Sequence, residues 1–308
     1  MTHALQSSQA RSSGSADAPA IALRRILWAC DFTSCSARAL QLAIPLARAY
    51  GSEITALHVM PETAPPGGGP ASLANAALAQ SHLRHDVSLS LDRHVSPAVV
   101  ASVPTRIAIR EGNPVDEILG LAARLPADLI ALGTHSRSAF EPFALGTVAE
   151  SILGGARCPV LAVPTRALLP SGPRFKTVLW ATDFSSHAAL ALRYALSLAA
   201  KSPAHLLLLH VLGGATFSTY VEAEQAREAE QRLQEAVAAG RAAGCEAEAI
   251  VTSGSASAEV LRIAGERAAE LVVMGVQGSR ALHTLFLGST AHRVVRDAPC
   301  AVLAVRRT

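Results

Sequence analysis

Short aliphatic and β-branched runs alternate along this chain with longer alanine-rich segments of helical period. In the C-terminal half, the pattern predicts strands near 176–183, 204–212, 246–252, 270–275 and 300–306. It predicts helices between them, near 186–201, 217–243, 257–269 and 288–297. Strict alternation of strand and helix is typical of a parallel sheet with right-handed crossovers and helices on both faces.

The N-terminal half carries the same pattern as an internal repeat. The run ILWACDF (Ile26–Phe32) returns 152 positions later as VLWATDF (Val178–Phe184). The run CPVLAV (Cys158–Val163) returns only 142 positions later as CAVLAV (Cys300–Val305). The first copy therefore holds ten extra residues, and we expect them in the Pro/Gly stretch Pro61–Pro70.

The repeat predicts two doubly wound α/β domains in tandem, each with a five-stranded parallel sheet of strand order 3-2-1-4-5. The first domain is expected over residues 21–165 and the second over 175–308, with 166–174 as a Pro-, Ser- and Gly-containing linker. Residues 1–20 are rich in Ser, Ala and Gly, and their composition predicts a disordered tail.

Composition excludes several classes of function. The net charge is +3, and no basic run interleaved with aromatic residues points to nucleic acid. The longest aliphatic run, Leu206–Leu209, is too short to span a bilayer, so no membrane association is expected. The five cysteines form no CxxC pair and no zinc-type spacing, and their odd number favours reduced thiols and a cytoplasmic location.

The distinctive residues of the second copy fall at two strand ends. In a doubly wound sheet, ligands bind where the strand order reverses, which is between strands 1 and 4 for this order. Asp183 ends strand 1, and Gly275 ends strand 4 and opens a run to Gly278. Glycine lets the backbone approach a ligand and adopt a positive φ. Gly288, Ser289 and Thr290 then open the last helix, whose free N–H groups suit phosphate oxygens.

The spacing Gly275-x2-Gly278-x9-Gly288-Ser289, after a strand ending in Asp183 and another ending in His210-Val211, resembles the ATP-binding branch of the universal stress protein family. The resemblance covers both repeats. It implies ATP, with Mg²⁺, as the ligand. It also implies that the two domains pair within the chain as two subunits of a dimer would, with the segments 158–163 and 300–305 meeting. A further homodimer and a protein partner are compatible with the resemblance.

The resemblance also implies the role of each site residue. Asp183 and the Val211 backbone would contact adenine, and Gly275 and Gly278 would lie along the ribose and phosphates. Gly288, Ser289 and Thr290 would bind phosphate. The matching positions of the first copy, listed in chain order, are Asp31, Val59, Gly133, Gly146 and Thr147.

The first copy departs from this pattern at one position. Ser136 stands where the second glycine of the spacing is expected. A Cβ there narrows the space beside the ribose or strains a left-handed turn by roughly 1–2 kcal/mol. We therefore expect a weakened or empty first site and nucleotide mainly in the C-terminal domain.

Simpler interpretations stay open for each of these residues. The aspartates could cap the following helices, and the glycines could be ordinary turn residues. His58 and His210, at the ends of apolar strands, are expected to be packed, hydrogen-bonded histidines. The leading function is an ATP-binding stress-response or regulatory protein. A slow ATPase and an interaction module that binds no nucleotide are the alternatives.

Overall fold

The computed structural model describes residues 21–62, 70–134, 145–172, 174–213, 219–277 and 287–306. Predictions that fall on other residues lie outside this part of the chain. They concern the tail 1–20, residues 63–69 of the Pro61–Pro70 stretch, Ser136 and Gly278.

Each half of the chain is built from five strands and four helices within the described residues. The N-terminal half contains, in chain order, β1 Arg25–Ala29, α1 Ser34–Tyr50, β2 Glu53–Met60, α2 Pro70–Val100, β3 Thr105–Glu111, α3 Pro114–Arg124, β4 Leu129–Gly133, α4 Thr147–Gly155 and β5 Val160–Val163. The C-terminal half contains β6 Thr177–Thr182, α5 Ser186–Lys201, β7 His205–Gly213, α6 Thr219–Ala242, β8 Glu246–Gly254, α7 Ala256–Glu266, β9 Leu271–Gly275, α8 Ser289–Asp297 and β10 Ala301–Val305. The predicted alternation is confirmed.

The strands form one sheet of ten, in the order β3-β2-β1-β4-β5-β10-β9-β6-β7-β8. Each half has the predicted internal order and is parallel. The two five-stranded sheets continue into one, because β5 and β10 pair antiparallel and join the halves. The predicted meeting of segments 158–163 and 300–305 is thereby confirmed, with Leu161 opposite Leu303.

Two hydrophobic cores cover the two faces of this sheet. One contains Trp28, Trp180, Leu161 and Leu303 among its buried members, and the other contains residues such as Val302. Each core takes residues from both halves of the chain. Aliphatic runs buried on both faces are what a parallel sheet covered by helices requires. Among the described helices, none has the length and apolar character needed to cross a bilayer.

The ten-residue insertion of the first copy lies mainly in a helix. Helix α2 has 31 residues, whereas its counterpart α6 has 24. The expectation that Pro61–Pro70 houses the insertion is therefore largely wrong. Pro70 is itself the first residue of α2, a position where proline suits a helix because its missing N–H would have no partner there.

Candidate functional site

The C-terminal half holds a crevice of about 440 Å³ beyond the carboxyl ends of β6 and β9. This is the point where the strand order reverses, as predicted. Its described lining comes from β6, β7, β9 and the starts of α7 and α8. The predicted residues among this lining are Asp183, Val211, Gly275, Gly288, Ser289 and Thr290.

Asp183 is an exposed residue that organises the turn between β6 and α5. Its Oδ1 accepts a hydrogen bond from the Ser185 backbone N–H at 3.0 Å. Ser185 is the N-cap of α5, and its Oγ accepts from the Ala188 N–H at 3.2 Å. The helix-start interpretation of this aspartate is therefore correct in part, because the carboxylate holds the cap residue. The same residue lines the crevice, so a ligand contact is compatible with this role.

Phe184, between these two residues, has a φ of 59°, in the left-handed region that costs a non-glycine residue about 1–2 kcal/mol. Its ring stacks on His210, with 4.4 Å between ring centroids. The Arg232 guanidinium lies 3.9 Å from the Phe184 centroid. These contacts fix the strained turn that presents Asp183, a common arrangement at functional sites. Sequence reasoning missed this support, although the Asp-Phe pair occurs in both copies.

His210 is packed and hydrogen-bonded, as predicted. Its Nδ1–H donates to the Thr182 carbonyl at 2.9 Å. Burial lowers the pKa of this imidazole below its usual value near 6.5. Burial thus favours the neutral ring, whose hydrogen bond fixes the end of β6.

Val211 lies where β7 extends beyond its neighbour β6. The β6–β7 ladder ends at Thr182 opposite His210, whereas the β7–β8 ladder continues to Gly213 opposite Gly254. Past His210, the β7 backbone therefore keeps β8 on one side and borders the crevice on the other. A strand edge of this kind offers backbone donors and acceptors to a planar ligand.

Gly275 has a packing reason that the sequence did not reveal. A Cβ on this residue would lie 2.8 Å from His187 Cβ and 3.1 Å from the Ala188 nitrogen, at the start of α5. Helix α5 is also tied to β6 by the Trp180 Nε1–H, which donates to the Ala188 carbonyl at 3.0 Å. The glycine lets the helix approach the end of β9 closely.

Helix α8 begins directly at the crevice, with Gly288 as its N-cap. Within the described residues, no side chain caps this helix start. The Gly288 N–H donates to the Val276 carbonyl at 2.8 Å, which holds the start of α8 beside the end of β9. The first N–H groups of α8 are therefore directed at the crevice side with the positive end of the helix dipole.

The expected positive φ is not found at the described site glycines. Gly288 and Gly146 have φ of −61° and −64°, and neither Gly133 nor Gly275 is left-handed. With ψ of 138° and 146°, Gly146 and Gly288 have the extended backbone that an N-cap requires. Gly133 and Gly275 are the last residues of their strands.

The first copy forms a crevice of about 460 Å³ at its own reversal point. Asp31, Val59, Gly133, Gly146 and Thr147 all line it, as predicted. Its described portion is thus no smaller than that of the second crevice. The described linings differ at one proposed phosphate position, where Val148 replaces the hydroxyl-bearing Thr290. Ser136 lies outside the described residues.

The construction of the first crevice repeats that of the second. Asp31 Oδ1 accepts from the Thr33 N–H at 3.0 Å and from its hydroxyl at 2.5 Å, and Thr33 caps α1. Phe32 has a φ of 61° and packs on His58 at 4.5 Å. The His58 Nδ1–H donates to the Cys30 carbonyl at 2.7 Å, so this histidine is also packed as expected.

Neither crevice has a lysine or arginine among its described lining residues, and each has one carboxylate, Asp31 or Asp183. No cluster of three His, Cys, Asp or Glu side chains suited to a metal ion occurs in the described ranges. All five cysteines are free thiols. Besides backbone N–H groups and hydroxyls, the described walls contain the Gln277 amide in the second crevice and the His58 imidazole in the first.

This fold defines a tandem doubly wound α/β protein with a crevice at each reversal point. The model of the universal stress protein family matches residues 22–164 and again 174–306, and the chain belongs to this family.

Individual relatives agree with this assignment. A universal stress protein of Methanocaldococcus jannaschii is 31% identical over 140 residues, which are 46% of this chain and 81% of that protein. Universal stress protein YxiE of Bacillus subtilis is 31% identical over 147 residues, 45% of this chain and 97% of its own. A universal stress protein structure from Archaeoglobus fulgidus superposes with a TM-score of 0.69 at 24% identity, covering 92% of this chain and 98% of that one.

Proposed function

We propose that this protein is a cytoplasmic ATP-binding regulatory protein of stress responses, which holds nucleotide mainly in its C-terminal crevice. The observation that carries the proposal is the convergence, at each reversal point, of a strand edge, a carboxylate and a helix N-terminus with glycine at the N-cap. Each of these three features suits one part of a nucleotide. The preference for the C-terminal crevice rests on Gly278, where the first copy has Ser136.

The β7 edge at Val211 would hydrogen-bond the adenine ring, with Asp183 beside it. The start of α8 at Gly288, Ser289 and Thr290 would bind the phosphates, because helix N-terminal N–H groups and their dipole favour anions. Gly278, by resemblance, would lie along the ribose and phosphates. Mg²⁺ would arrive with the nucleotide, since Asp183 is the one carboxylate of the described lining.

Binding without fast turnover fits this lining best. The described walls supply backbone amides, hydroxyls and a carboxylate that already holds the Ser185 N–H. Bound ATP would then act by favouring one arrangement of the paired domains or the docking of a protein partner. Slow hydrolysis is the alternative, and phosphate release over hours would distinguish the two.

The proposal is tested by denaturing the purified protein and identifying the released nucleotide by mass spectrometry. We expect ATP or ADP at up to about one per chain, because a tightly bound ligand stabilises the folded state and survives purification. Gly288→Val should abolish most of this retention, since a branched side chain would crowd the start of α8.

The matched control is Gly265→Val, in helix α7, where an added Cβ meets no atom within 4 Å. It should retain nucleotide like the parent. Gly146→Val measures the share held by the first crevice, and Ser136→Gly should raise that share. Normal retention by a folded Gly288→Val variant would show that the site assignment is wrong.

A further inference from the structure

We infer that the joint between the two copies is a second ligand site, for an organic anion with an apolar body. A groove of about 530 Å³ lies between the C-terminal ends of α1 and α5 and the linking segment, which is defined as residues 164–176 between β5 and β6. It is separate from both crevices, because none of its lining residues lines either of them. The lining residues that carry the argument are Leu46, Arg48, Tyr50, Arg174, Phe175 and Lys201.

The groove has an apolar floor supplied by both copies and the linking segment. Leu46 from α1, Leu198 from α5 and Phe175 from the linking segment are each at most 5% exposed. Pro45 and Pro170 add further apolar wall. The volume is in the range of small-molecule sites, which commonly lie where domains meet.

The walls are held in place by hydrogen bonds between the copies. The Tyr50 hydroxyl of α1 and the Ser197 hydroxyl of α5 are 2.7 Å apart. Arg38 donates to the carbonyls of Thr165 and Ala167, at 2.8 and 2.9 Å, and so ties the linking segment to α1. The groove is thus formed before any ligand binds, which lowers the ordering cost of binding.

Three cations surround this apolar floor. Arg48, Arg174 and Lys201 are exposed at the rim, and none forms an ion pair with another described residue. The Lys201 Nζ lies 5.0 Å from the centroid of the Tyr50 ring. No aspartate or glutamate is among the described lining residues. The groove therefore combines positive charge with a desolvated apolar surface.

Two of these cations have a simpler role, since Arg48 and Lys201 lie in the last turns of α1 and α5. Each helix end carries about half a unit of negative charge, so the two ends offset roughly one unit. Three cations leave a clear positive excess. Arg174 precedes a strand and serves no helix end.

The ligand class follows from this combination. An anionic head would pair with Arg174 and Lys201, and an apolar or aromatic body would lie on Leu46, Leu198 and Phe175. Recognition would use charge-assisted hydrogen bonds at the rim and burial of apolar area at the floor.

The test uses 8-anilinonaphthalene-1-sulfonate and its uncharged analogue N-phenyl-1-naphthylamine, followed by fluorescence on the full chain. The double variant Arg174→Gln, Lys201→Gln should lose about tenfold or more in affinity for the sulfonate and keep its affinity for the neutral probe. The control is Arg241→Gln, which removes a cation from the last turn of α6, away from the groove. It should bind both probes like the parent.

Two outcomes would overturn the inference. Equal sulfonate affinity in the parent and the double variant would place the probe elsewhere, including in the nucleotide crevices. Displacement of the sulfonate by equimolar inorganic sulfate would contradict the apolar part of the site. Thermal unfolding of the double variant, expected within a few degrees of the parent temperature because Lys201 stabilises the end of α5, checks that the changes do not act by unfolding the protein.

Discussion

Gly275 and Gly133 show how one residue type at a motif position can serve packing. At Gly133 a Cβ would lie 2.5 Å from Cys35 Cβ, closer than such atoms approach in real proteins. The glycine at each of these two strand ends is therefore needed to seat the first helix of its copy. A nucleotide contact by the Gly275 backbone is an additional role within the proposed function.

Gly275→Ala should destabilise the protein by about 1–3 kcal/mol, because the methyl group would be forced against the α5 backbone. Gly133→Ala should cost at least as much. The measurement is urea unfolding at equilibrium. Gly265→Ala, in open space on helix α7, should instead be neutral or slightly stabilising, since alanine favours a helix. An unchanged midpoint for both strand-end variants would refute this packing account.

His210 gives a pH dependence with a defined sign. Burial lowers the pKa of its imidazole in the folded state below the usual value near 6.5. The unfolded chain therefore binds the proton more readily, and the contribution of neutral His210 is full above pH 6.5 and falls on acidification.

The free energy of unfolding should thus decrease less between pH 7.5 and pH 5.5 in His210→Gln than in the parent. Glutamine can still donate to the Thr182 carbonyl but takes up no proton. His85→Gln, at an exposed position on α2, is the control and should follow the parent. An identical decrease in His210→Gln and the parent would contradict the assignment.

At the scale of elements, five of the described helix starts fall into two groups, whereas α7 has Ser255 at its N-cap without a side-chain cap bond. Thr33, Asn113 and Ser185 cap α1, α3 and α5 with side-chain oxygens. Helices α4 and α8, which begin at the crevices, have glycine at the N-cap and no side-chain cap within the described residues. A glycine N-cap leaves the first N–H groups of the helix without a side-chain acceptor. This is expected where the oxygen atoms of a ligand accept these hydrogen bonds.

Gly288→Asp separates stability from binding at this position. An aspartate N-cap should leave the nucleotide-free protein as stable as the parent or more stable by a few tenths of a kcal/mol. The same carboxylate should repel phosphates and reduce nucleotide retention at least tenfold. Thermal unfolding and nucleotide release measure the two effects. Retention equal to that of the parent would argue against phosphate binding at α8.

The elements were largely predictable from periodicity, and some features of the site were not. The predicted helix 186–201 matches α5, because buried alanines and leucines recur at helical spacing along it. The lengthened helix α2 was not predicted, since its face is mostly exposed and its period is weak. The α7 wall of the crevice, at Ala256 and Val260, was also missed, because small apolar residues carry no chemical signal.

At the scale of the whole molecule, the antiparallel seam between β5 and β10 makes one unit of the two copies. Leu161 and Leu303 face each other there, at 0% and 2% exposure. Both hydrophobic cores continue across the seam. The two halves should therefore unfold in one cooperative transition.

Leu303→Lys should break this cooperativity. A buried, unpaired ammonium costs roughly 3–5 kcal/mol, and the seam would lose the apolar contact that joins the halves. Calorimetry should show a lower transition temperature and two transitions in place of one. Leu168→Lys makes the same change at a residue that is 72% exposed and should leave the single transition in place. Two transitions in the parent protein would refute the prediction that the two halves unfold as one cooperative unit.

The repeat predicted the pairing of the two copies, since equivalent terminal strands meet about a pseudo-twofold relation between Leu161 and Leu303. It did not predict the groove at the joint. That groove depends on Arg174, whose position in the first copy is Ala22, and on contacts that form only between the two copies. An alignment of the two copies with each other does not reveal contacts that form only between them.

The most direct measurement is isothermal titration of ATP into protein stripped of nucleotide. The account predicts about one strong site per chain, lost in Gly288→Val and kept in Gly265→Val. An absence of binding heat in a folded parent protein, or equal heat from the parent and Gly288→Val, would contradict the assignment of the crevice to a nucleotide.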